Sequence, residues 1–126
     1  FVPAGQRRTI ALLGDMLKYR QVLAVILREA GYDVLEKTSS QAAPLLEGDS
    51  PAGTVILDVG LATQDEYAFV SWLCENTPTP VVVLSSDSSP EADQEARRRG
   101  ARAFVRKPFT KDTILRTLAG VFESVS

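Results

Sequence analysis

Five short apolar runs alternate with stretches whose apolar residues recur every third or fourth position, and this alternation predicts the fold. The runs are Thr9-Ile10-Ala11-Leu12-Leu13, Tyr32 to Lys37, Thr54-Val55-Ile56-Leu57, Val81-Val82-Val83-Leu84 and Ala103-Phe104-Val105. The Thr54 run has no polar alternation, so it reads as the central strand of a parallel sheet with two faces to bury. The Tyr32 run is more polar and belongs near an edge. A helix is predicted from about Leu17 to Ala30, with Leu23, Ile26, Leu27 and Ala30 at helical spacing and Gly31 as its stop. A short helix capped by Ser40 reaches Leu46, with Pro44 in its first turn, and residues 47–53 form a turn-rich loop. Further helices are predicted from about Gln64 to Glu75 and from Ser89-Pro90-Glu91 to Gly100. The last is capped by Thr110, with Ile114, Leu115, Leu118, Val121 and Phe122 on its buried face. Strands alternating with helices of this length make right-handed βαβ units: an α/β, doubly wound (βα)5 fold with a five-stranded parallel sheet and helices on both faces.

A chain of 126 residues supports one domain. Residues 9–126 are expected to form it, with residues 1–8 as a linker or tail. Because the first residue is Phe1 rather than Met, a fragment, a processed chain or one whose start was not supplied is expected. A net charge of −2 and 44% hydrophobic residues describe an ordinary soluble globule with no footprint for nucleic acid. No apolar stretch approaches a membrane span, and no signal peptide is visible. The single cysteine, Cys74, excludes an internal disulfide, fits a reducing cytoplasm, and reads as a small core side chain beside Trp72 and Leu73. The absence of histidine removes His-based metal sites, Ser-His-Asp triads and any role as a phosphohistidine carrier.

The candidate chemistry lies at the strand exits. Parallel strands would bring Asp15, Asp58, Ser85 and Lys107 to one edge of the sheet, where ligands bind in open α/β folds. Asp58 is the most informative of these, because burying a carboxylate at the end of an apolar strand is costly without a partner. Two nearby carboxylates need a counter-charge, which Lys107 and a hard cation could both supply. Oxygen ligands without His or Cys suit Mg2+. A strand-end hydroxyl with an ammonium makes a seat for a phosphoryl group.

Several segments, in order and at matching spacing, resemble the receiver domain of bacterial two-component response regulators. They are Val-Ile-Leu-Asp ending at Asp58, Pro80-Val-Val-Val-Leu-Ser85-Ser86, Gly100-Ala101, and Phe104-Val-Arg-Lys107-Pro108-Phe109, together with the distance from Asp15 to Gly31-Tyr32. The resemblance runs from about Arg8 to Val121 and implies a flavodoxin-like sandwich. It implies that Asp58 is a phosphoacceptor attacking a phosphohistidine on a sensor histidine kinase or phosphotransfer protein. Asp15, Asp58 and the backbone carbonyl of Gly60 would hold Mg2+. Lys107 would pair with the carboxylate and then with the phosphoryl oxygens, Ser85 would be the switch hydroxyl, Phe104 the switch aromatic, and Lys107–Pro108 a cis bond. The domain is then a signalling module, not an enzyme, although it takes part in its own phosphorylation and dephosphorylation. Its downstream protein target would bind the face of the fourth helix, fifth strand and fifth helix.

The sequence departs from this family at Gly14, where the first of two adjacent acids should stand. A divalent ion and a carboxylate about 5 Å apart in water attract by roughly 1–2 kcal/mol, so the loss weakens metal binding about tenfold. The alternative function is therefore a degenerate receiver that acts as an interaction module without phosphorylation. Milder departures are Val59-Gly60-Leu61-Ala62 after Asp58, Glu66, and Ser86 where a small Ala is usual. Arg97, Arg98, Arg99, Arg102 and Arg106 form a basic cluster that either complements a helix end or meets an acidic protein partner. An aspartate-nucleophile phosphatase would need a second Asp at Gly60. A flavin site would need a phosphate-cradling loop after the first strand, and none follows it.

Overall fold

The computed structural model describes residues 9–38, 53–59, 64–87 and 89–124. Within them five strands, β1 (Thr9–Leu13), β2 (Asp33–Lys37), β3 (Thr54–Asp58), β4 (Val81–Ser85) and β5 (Ala103–Arg106), alternate with four helices. The helices are α1 (Leu17–Glu29), α2 (Gln64–Asn76), α3 (Pro90–Arg98) and α4 (Lys111–Ser124). The predicted tail over residues 1–8, the short helix over 40–46, and Gly60 lie outside the described residues.

All pairings are parallel and the order is β2-β1-β3-β4-β5, so the polar Tyr32 run does form an edge. The two-residue period of each strand sorts its side chains between two cores. Ile10, Leu12, Ile56, Val82, Leu84 and Val105 pack with Leu23 and Leu27 of α1 and Ile114, Leu118 and Val121 of α4. Ala11, Leu13, Val55, Leu57, Val83 and Phe104 pack on the other face with Val70 and Leu73 of α2 and Ala92 and Ala96 of α3. A continuous apolar strand is therefore two alternating sets, each covered by its own helix pair.

The predicted boundaries hold to within a residue or two. Ser89 caps α3: its hydroxyl accepts from the Ala92 amide at 3.2 Å, and Pro90 opens the helix. Thr110 does the same for α4, accepting from the Thr113 amide at 3.1 Å. Gly31 and Gly100 follow α1 and α3 with φ of +99° and +113°, a region that favours glycine. Two arginines of α1 fasten it to the edge strand. Arg20 bonds the Gly14 carbonyl at 2.7 Å and Glu36 at 3.4 Å, and Arg28 bonds Glu36 at 3.1 Å and the Val34 carbonyl at 3.0 Å. The turn that carries Asp15 is thus held from below by a cation.

Candidate functional site

Strand order reverses between β1 and β3, and in open parallel sheets the crevice beyond that point is where ligands sit. Asp58 ends β3 there. Its neighbour Val59 donates its amide to the Leu84 carbonyl at 2.8 Å, and Lys107 donates its amide to the Ser85 carbonyl at 2.8 Å. These bonds bring the ends of β3, β4 and β5 to one level. Lys107–Pro108 is cis, as the resemblance implied.

The Lys107 ammonium donates to Asp58 Oδ1, and both side chains are buried, 8% and 3% exposed respectively. The other carboxylate oxygen, Oδ2, is buried with no hydrogen-bond partner. Burial raises the Asp58 pKa above the ordinary aspartate value, and the hydrogen bond and charge of Lys107 work against that rise without cancelling it. An orphaned acceptor on a desolvated carboxylate is expensive, which gives the site a standing demand for a second positive group.

A cavity of about 350 Å³ adjoins Asp58, lined also by Asp15, Met16, Asp65, Glu66 and Phe69. Among the described residues, no three Asp, Glu, Cys or His side chains gather into a metal cage. The donors nonetheless fit Mg2+, a cation that takes few protein carboxylates and keeps several waters: Asp15 and Asp58 share the cavity, and Oδ2 lacks a partner. A Cβ built on Gly14 would lie 3.3 Å from Asp58 Cβ and 3.6 Å from Oδ2, so the position of the missing acid directly overlooks the carboxylate.

Ser85 is fully buried, and its hydroxyl accepts from the Asp87 amide at 3.0 Å. Phe104 is 9% exposed and packs in the core beneath α2 and α3, with the Arg106 guanidinium 5.9 Å above its ring. Of the residues singled out from sequence, Asp58 and Lys107 are in direct contact, Asp15 shares their cavity, and Ser85 and Phe104 stand on the adjacent strands. The basic cluster is largely paired: Arg97 with Asp93, Arg98 and Arg99 with Glu95, and Arg97 also with the Arg102 carbonyl at 3.3 Å. Two site residues escaped the sequence reading, Arg20 below the Asp15 turn and Tyr19 beside Lys107. Each looks like an ordinary helical position, and only the fold supplies its partner.

A doubly wound sheet with a desolvated Asp–Lys pair and an acidic cleft at its switch point defines a phosphoryl-handling signalling module. The chain belongs to the response regulator receiver domain family, whose model matches residues 10–119. It is 31% identical over 109 residues to the transcriptional regulatory protein PdtaR of Mycobacterium tuberculosis, covering 85% of this chain and 53% of that protein. It is 34% identical over 123 residues to a protein-glutamate methylesterase/protein-glutamine glutaminase of Xanthomonas oryzae pv. oryzae, covering 92% of this chain and 33% of the relative. The chain thus spans about half of the first relative and a third of the second.

Among solved structures, the chemotaxis protein CheY4 of Vibrio cholerae superposes with a TM-score of 0.76 at 28% identity, over 91% of this chain and 98% of that one. The NtrX receiver domain of Brucella abortus superposes with a TM-score of 0.78 at 26% identity, over 90% of this chain and 98% of that one. Receiver domains of this family serve two-component signalling, work with histidine kinases or phosphotransfer proteins, and generally bind Mg2+ at the phosphorylation site. Among the described residues, no helix is long and apolar enough to cross a membrane.

Proposed function

We propose that residues 9–126 form a cytoplasmic phosphoacceptor that takes a phosphoryl group onto Asp58 from the phosphohistidine of a sensor histidine kinase or a phosphotransfer protein. The observation that carries this reading is the half-satisfied carboxylate: Oδ1 is held by Lys107, while Oδ2 is buried and unpartnered. A carboxylate oxygen of Asp58 attacks phosphorus, the P–N bond breaks, and the imidazole leaves with its electron pair and takes up a proton, giving an acyl phosphate. Asp15, Asp58 and the Gly60 carbonyl would hold Mg2+, which supplies positive charge against the phosphoryl oxygens. Lys107 orients the carboxylate beforehand and then shifts its ammonium to the phosphoryl group.

Ser85 turns its hydroxyl from the Asp87 amide toward the same group, and Phe104 repacks with it. The face of α3, β5 and α4 thereby changes its affinity for a downstream protein. The net charge of −2 and the internally paired arginines favour a protein target there over nucleic acid. Incubation with a small phosphodonor and Mg2+, read by intact mass, should add one phosphoryl group to the wild-type chain and none to Asp58→Asn. A folded wild-type chain that gains nothing at any Mg2+ concentration would instead make this a degenerate interaction module.

A further inference from the structure

Lys107 touches more than Asp58. Its ammonium nitrogen also lies 4.7 Å from the centroid of the Tyr19 ring, on the first turn of α1. That is within the range in which an aromatic face attracts a cation, and the attraction grows where water is excluded, as it is around this buried ammonium. The ring is held in turn by Phe109, which meets it edge-on at 6.5 Å between centroids and an interplanar angle of 84°. Lys107 and Phe109 flank Pro108, so one short segment engages Tyr19 through both a cation and an aromatic edge.

We infer that Tyr19 is a positioning residue whose ring face holds the Lys107 ammonium against Asp58, ready for the incoming phosphoryl group. A lysine is a point charge on a flexible four-carbon stem, and without a second contact its ammonium would sample many positions around the carboxylate. The ring occupies one side of the ammonium and Asp58 another, leaving donor capacity for phosphoryl oxygens. Burial and then the negative charge of Asp58 raise the Tyr19 pKa, so the phenol stays protonated and the ring neutral. A cavity of about 250 Å³ lined by Met16, Tyr19, Ser86, Lys107 and Pro108 gives the ammonium room to move when the phosphoryl group arrives.

This inference rests on the phosphoacceptor reading for its purpose, but it can be tested apart from it. Lys107 is one of four lysines, so its ε-methylene resonances can be resolved by carbon–proton NMR. Ring current from Tyr19 should shift them upfield in the wild type and in Tyr19→Phe, and Tyr19→Leu should restore the ordinary lysine position. In the phosphodonor assay Tyr19→Phe should keep the wild-type rate to within about twofold, and Tyr19→Leu should be slower by about three- to tenfold.

An unshifted Lys107 signal in the wild type overturns the inference, and so does wild-type phosphorylation in Tyr19→Leu. Equal loss in Tyr19→Phe also overturns it, because the hydroxyl rather than the ring would then be responsible. A wild-type chain that takes up no phosphoryl group defeats the phosphoacceptor reading alone, and the NMR shift still decides the contact.

Discussion

Asp58 and Lys107 cannot be understood singly, because each is buried and each compensates the other. The carboxylate prefers its proton more than an ordinary aspartate does, since desolvation outweighs the help of the ammonium. With the folded pKa above the unfolded one, the folded state binds more protons between the two values. Stability therefore falls as pH rises through that window, and the cost is complete above the folded pKa. Lys107→Met removes the groups that oppose the rise, leaving a buried carboxylate with no positive partner.

That variant should lose about 3 kcal/mol of stability at neutral pH, and less in acid where Asp58 is protonated. Urea denaturation at the two pH values checks both the size and the sign. At this scale the sequence was legible where chemistry is local: an acid ending an apolar strand announced itself. The arginine cluster was legible only in part. Arg97 and Arg99 each have an acid four residues earlier, in Asp93 and Glu95, a spacing that foretells their pairing.

Helices and strands were the most readable part of the chain, because the apolar period marks each described element and capping residues mark several helix ends. Ser89 with Pro90, Thr110, Gly31 and Gly100 all stand where the helix ends require them. What sequence could not supply was which helix covers which face, since that follows from strand order and not from any period. The two glycines make different predictions. A side chain at Gly31 meets nothing within 4 Å, so Gly31→Ala should cost only the backbone term, about 1 kcal/mol.

A Cβ at Gly100 would lie 2.8 Å from Cys74 Cβ and 3.1 Å from its sulfur, so α3 could not keep its approach to α2. Gly100→Ala should cost about 2–3 kcal/mol, and thermal unfolding of the pair separates the steric term from the conformational one. Cys74, read from sequence as a small core side chain, is the neighbour that makes this junction tight, and burial raises its thiol pKa.

For the molecule as a whole, the parallel sheet is what converts residues scattered along the chain into one site, with Asp15, Asp58, Ser85 and Lys107 all at its carboxyl edge. That convergence was readable once the runs were taken as parallel strands. The Tyr19–Lys107 contact was not, because its partners belong to the first and last βα units and Tyr19 lies in no motif. The proposed metal site has a quantitative consequence at Gly14, whose Cβ position faces Asp58 Oδ2 at 3.6 Å. Restoring a carboxylate there with Gly14→Asp should lower the Mg2+ concentration that half-saturates phosphoryl uptake by about tenfold. An unchanged Mg2+ requirement would show that position 14 does not face the ion.

The most direct test asks where the phosphoryl group goes. After reaction with a small phosphodonor and Mg2+, borohydride reduces an acyl phosphate to the alcohol, so a phosphorylated aspartate appears as homoserine in tandem mass spectrometry. The account predicts homoserine at position 58 alone, dependent on Mg2+. Homoserine at Asp15 or another acid, or none in a folded chain, would contradict it.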